Sequence, residues 1–68
     1  MKPIEIRFNN ATMFFDVTRG FEKFGEYVLE SEAYDVARTK QREWAYGEGN
    51  GERLAIRQYV ANGNYIEL

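Results

Sequence analysis

The chain carries eleven Asp and Glu and nine Lys and Arg, but no histidine and no cysteine in 68 residues. The usual general base and the soft metal ligands are therefore missing, and Ser31 and the threonines have no imidazole to activate them. What remains for chemistry is carboxylates, cations and rings. Glu22, Glu26, Glu30, Glu32 and Asp35 gather in one stretch with only Lys23 among them. Paired acids work as catalysts only when fixed in a cleft, and the alternating oxygen ligands of a calcium loop are absent. A solvated face, with negative charge at a helix N-terminus, accounts for this cluster. No catalytic residue, metal site or cofactor is expected, and the chain reads as a non-enzyme.

The cations and aromatics are better candidates for a binding surface. Arg38, Lys40 and Arg42 precede Arg53 and Arg57, and Tyr59 and Tyr65 lie close by; such a set could contact phosphates and stack bases. A formal net charge of −2 gives no general attraction to a polyanion, and helix C-terminal charge compensation accounts for the three helix cations. With five Phe, five Tyr and one Trp, exposed rings mixed with both charge signs fit a protein interface better.

These residues must be placed by secondary structure. Ile4, Ile6 and Phe8 alternate with Glu5 and Arg7, the period of a half-buried strand. Asn9-Asn10 reads as a turn, and a second strand over 11–17 would turn Met13, Phe15 and Val17 inward and Phe14 outward. After a turn at Thr18-Arg19-Gly20, a third strand runs over 21–29 with Tyr27 and Leu29 inward; a bulge at Gly25 could switch faces and admit Phe24. Ser31 is a suitable N-cap for a helix over 32–45 whose apolar stripe is Ala33, Val36, Ala37 and Trp44. The glycine-rich run at 47–51 follows a helix instead of opening one, so it reads as a flexible connector and not as a phosphate cradle.

Residues 52–60 and 64–68 flank Asn62-Gly63, a strong hairpin signal. A three-residue loop with Gly63 in the left-handed bulge position pairs Val60 with Asn64 and Ile56 with Leu68. Leu54, Ile56, Val60, Ile66 and Leu68 then share one face, while Tyr59 meets Tyr65 and Arg57 meets Glu67 on the other.

A chain this short hides only about 60% of its surface on folding and forms one domain, residues 1–68, which must be densely packed. The fold expected is α+β, in the order βββαββ: a four- to five-stranded, mainly antiparallel sheet with one helix on one face. No run approaches the roughly 20 apolar residues of a membrane span, and the N-terminal residues lack a secretion signal, so a cytoplasmic protein is expected.

In size, acidity, lack of Cys and His, and strand-rich order around one helix, the chain resembles the small inhibitors that bacteriophages and mobile elements make against host machinery, such as anti-CRISPR proteins and phage inhibitors of RNA polymerase. The resemblance is architectural and carries no motif. It implies a non-enzymatic protein that acts in the bacterial cytoplasm by stoichiometric binding to a host protein or ribonucleoprotein complex. The expected contact patch is Phe14, Arg57, Tyr59, Tyr65 and Glu67. Arg38, Lys40 and Arg42, or the acidic set Glu26, Glu30 and Glu32 acting as a phosphate mimic, are the second choice. A small RNA- or DNA-binding regulator using the helix cations is the alternative function, and a homodimer is a third reading.

Overall fold

A computed structural model describes residues 2–60 and 63–68. Its elements are β1 (Ile4–Asn9), β2 (Phe14–Arg19), β3 (Glu22–Tyr27), α1 (Glu30–Tyr46), β4 (Ile56–Tyr59) and β5 (Tyr65–Glu67). The order βββαββ is thus as expected. All five strands join one sheet in the spatial order β3-β2-β1-β4-β5. Consecutive hairpins make β1 to β3 antiparallel, and β4 and β5 likewise. The helix, however, carries the chain back to the end where β1 begins, so β4 lies parallel to β1. The sheet is therefore mixed, though mostly antiparallel.

Alternation along β1 buries Ile4 and Ile6 completely beneath the helix. Val17, Leu54, Ile56, Ala33 and Ala37 complete the buried core, with Phe15, Phe24, Tyr27, Tyr34, Val36 and Trp44 packed around it. Alanine at 33 and 37 lets the helix backbone approach the sheet closely. The expected bulge is present in β3: Val17 faces Gly25 while Thr18 faces Lys23, which leaves Phe24 without a cross-strand partner. The extra residue lets Phe24 and Tyr27 pack on the same side.

Several boundaries differ from the sequence reading. The first turn is longer, because the Asn9 side chain accepts hydrogen bonds from the Ala11 and Thr12 amides at 2.9 and 3.4 Å, and the Asn9 carbonyl accepts one from Met13 at 2.7 Å. Strand β2 thus starts only at Phe14, and Met13 is exposed instead of inward. Leu29 is also exposed, because β3 ends at Tyr27. The helix begins at Glu30, with Leu29 in the cap position and no side-chain cap; Ser31 sits inside the first turn, where Glu30 and Glu32 supply the favourable negative charge. The segment before Ile56 is not strand, although Leu54 is buried.

The glycine-rich run is no loose connector. Amides of Gly47, Gly49 and Gly51 donate to carbonyls of the last helical turn, and Gly49 is buried against Trp44, where a β-carbon would overlap the indole. At the C-terminal hairpin the bulged register holds: Val60 donates to Asn64 and Leu68 to Ile56, each at 2.8 Å, and Gly63 has φ +77°. Asn62 of the expected turn lies outside the described residues.

The chief departure concerns the aliphatic face of that hairpin. Val60, Ile66 and Leu68 were expected to pack toward the helix, yet they are 45%, 54% and 47% exposed. A helix is about 10 Å across and strands are about 4.8 Å apart, so one helix covers only two or three strands. Here it packs mainly on β1, β2 and β3 and touches β4 more lightly, with no comparable packing on β5.

This footprint gives a direct test. Ile6→Ala should lower unfolding stability by about 2–5 kcal/mol, the range for a buried aliphatic truncation. Ile66→Ala should change it by no more than about 1 kcal/mol, the span of strand propensity. Urea denaturation compares the two, and equal losses would mean that β5 is covered after all.

Candidate functional site

The face of the sheet away from the helix is built by the residues that alternate with the core. Cross-strand pairing sets two rows on it. Glu26, Asp16 and Arg7 form one row with the Tyr59–Tyr65 pair, and Lys23, Thr18, Glu5, Arg57 and Glu67 form the other. The second row crosses all five strands. Phe14 stands at one end, half-buried and opposite Asn9.

Interactions within this face form a closed set. The Tyr59 hydroxyl donates to Glu5 Oε2 at 2.6 Å, and Arg7 Nη2 donates to the same oxygen at 3.2 Å. The Arg7 guanidinium lies over the Tyr59 ring, 3.6 Å from its centre, and Arg57 lies over Tyr65 at 4.6 Å. The two tyrosine rings are tilted against one another with centres 5.4 Å apart. Arg57 Nε is 3.7 Å from Glu67 Oε1. Farther along, Lys23 binds Glu26 and lies 3.7 Å from Asp16, to which Asn9 Nδ2 donates at 3.3 Å. Two atoms of the network, Asp16 Oδ1 and Arg57 Nε, are covered yet make no hydrogen bond.

The electrostatics follow from these partners. Tyr59 is held above the usual phenol range, first because its neutral hydroxyl donates to Glu5, then by desolvation and by repulsion between a phenolate and that carboxylate. Lys23 is also raised, chiefly by its hydrogen bond to Glu26; desolvation opposes this and attraction to Asp16 adds to it. Both groups are moved away from neutrality, opposite to the tuning of a general acid or base that works near pH 7. Among the described residues, no group of three or more acids is placed to hold a metal ion. No helix among them is long and apolar enough to cross a membrane.

The structure places the remaining candidates on other surfaces. Glu26 sits on the open face, whereas Glu30 and Glu32 are exposed on the helix, so the acidic set does not form one patch. The helix cations are divided as well. Lys40 pairs with Glu43 and lies over Phe24, while Arg38 and Arg42 border a separate concavity with Arg53. Arg57, Tyr59, Tyr65 and Glu67 stand together, and Phe14 is set apart from them by Asn9 and Arg7. Sequence reasoning sets Glu5 and Arg7 on the open face around Tyr59 and Tyr65 but leaves them out of the contact patch. Their central place comes from the β1–β4 pairing, which no local signal announces. No protein-family model, curated protein or solved structure matches the chain.

The raised Tyr59 pKa has a stability consequence. Its neutral form is favoured in the fold, so the contribution is complete below the ordinary phenol value of 10.0 and is lost as pH rises through the raised value. The stability difference between wild type and Tyr59→Phe should therefore shrink as urea denaturation is repeated at increasing alkaline pH. The same substitution should remove a phenol that ionises above the ordinary range from an absorbance titration. A gap that widens with pH would show that the Tyr59–Glu5 bond is not made in solution.

Proposed function

We propose that the protein is a non-enzymatic binding module that acts through the open face of its sheet, centred on Arg57, Tyr59, Tyr65 and Glu67 together with Arg7 and Glu5. The observation that carries this reading is the internal pairing of that face: Glu5 with Arg7, Asp16 and Glu26 with Lys23, and Glu67 with Arg57. A surface made to hold nucleic acid would leave cations unpaired and ring faces bare for stacking. On this one, guanidiniums occupy the faces of both tyrosines. Rings preorganised by arginines, with charges of both signs around them, suit a protein partner whose own charges can add to the network at low entropic cost.

The partner we propose is a host protein or ribonucleoprotein complex in the bacterial cytoplasm, blocked by stoichiometric occupation of a functional surface. Small size and the architectural resemblance to phage-encoded inhibitors support that part of the reading. The alternative, a small RNA- or DNA-binding regulator, would have to work with helix cations that lie on two surfaces, Lys40 on one and Arg38 with Arg42 on the other.

Capture from a nuclease-treated bacterial lysate, with the partner identified by mass spectrometry, is the test. One defined protein complex should be retained at moderate salt. The double variant Arg57→Ala with Tyr65→Ala should weaken its binding by at least roughly 30-fold, the loss of a single interface hot spot. Recovery of nucleic acid alone, or undiminished binding by the double variant, would sink the reading.

A further inference from the structure

A second surface, on the opposite side of the molecule from the proposed protein-binding face and independent of it, has a different character. Arg38, Gln41 and Arg42 from the helix and Arg53 from the segment after the glycine-rich turn line one concavity of about 290 Å³, together with Ala45, Tyr46 and Gly51. Three guanidiniums border it and no carboxylate does. Among the described residues none of these arginines takes part in an ion pair, in contrast to Arg7, Lys23, Lys40 and Arg57. Arg38 is steadied by donating to the Tyr34 hydroxyl at 2.8 Å.

A helix C-terminus attracts cations through its unsatisfied carbonyls, the explanation that the sequence suggests for Arg38, Lys40 and Arg42, but the last turn of this helix holds no basic residue. The carbonyls of Glu43, Trp44 and Ala45 already accept from Gly47, Gly49 and Gly51. Gln41 Nε2 donates to the Leu54 carbonyl at 2.7 Å and so ties the helix to the segment that bears Arg53. The walls are thus fixed by hydrogen bonds while the positive charge between them is left without a counterion. Like charges held around one concavity repel, and a multivalent anion removes that penalty.

We propose that this concavity binds the phosphate groups of a nucleotide. Guanidiniums match phosphate oxygens in a forked, two-bond geometry that lysine cannot reproduce. Tyr46, 86% exposed at the rim, presents a ring on which a base can stack. The volume lies at the small end of ligand sites and suits a diphosphate with part of its nucleoside. The turn amides are already bonded to the helix, so the anion is held by side chains and not by a glycine-loop cradle. The phosphate could belong to a free nucleotide or to a single strand. The chemistry of the site is the same for both.

Isothermal titration with pyrophosphate, ADP, adenosine and a ten-residue uridine oligonucleotide tests this. Pyrophosphate and ADP should bind below about 1 mM, the weak end of specific recognition, whereas adenosine should not bind. R42Q/R53Q should weaken both by at least roughly tenfold, since each charge-assisted bond to phosphate is strong. K2Q/K40Q removes the same charge elsewhere and should leave binding within about twofold, with thermal melting confirming that both variants fold. ADP bound more tightly than the oligonucleotide assigns the free nucleotide, and the reverse, with the same loss in R42Q/R53Q, assigns the strand. Absence of binding by both phosphate ligands, or equal weakening in the two double variants, overturns the proposal.

Discussion

The structure depends on the central strand. Ile4 and Ile6 are fully buried because β1 has a strand on each side and Ala33 and Ala37 above it. A chain of this length has no disulfide and little surface to hide, so one well-covered strand must anchor the rest. Antiparallel pairing with β2 follows from a hairpin, but parallel pairing with β4 requires the chain to cross the sheet, and the 17-residue helix is that crossing. The helix thus does two things at once: it covers the core and delivers β4 to the far side of β1.

That delivery creates the open face. On the side away from the helix, parallel pairing sets Glu5 beside Arg57, and Arg7 lies on the ring of Tyr59. Residues more than fifty positions apart become hydrogen-bonded neighbours. The same crossing explains what is left bare. One helix cannot span five strands, so Val60, Ile66 and Leu68 keep much of their surface in water although their alternation marks them as inward. Past the end of the helix, the bonded glycine turn brings Arg53 beside Arg38 and Arg42. Two chemically distinct surfaces thus arise from one connection, the first charge-paired and aromatic, the second cationic and concave.

Local pattern carried the sequence reading wherever one strand or one turn was enough to decide. The βββαββ order, the helix stripe, the bulge beside Gly25 and the Tyr59–Tyr65 and Arg57–Glu67 pairs all follow from period, turn chemistry or register within a hairpin. Met13 and Ser31 depart from their local pattern for local reasons too: the Asn9 side chain bonds the turn amides and delays β2, and the helix starts without a side-chain cap. The glycine run is fixed although its composition suggests freedom, because Trp44 needs a neighbour without a β-carbon at Gly49.

By itself the sequence determined which side of its own element each residue occupies, because alternation and helical period are properties of a single segment. Strand order, the parallel partner of β1 and the reach of the helix were decided only in three dimensions, since they depend on how separate segments share one core. For that reason Tyr59 and Tyr65 could be turned outward from sequence, while Arg7 over Tyr59 and Arg53 beside Arg42 could not be foreseen.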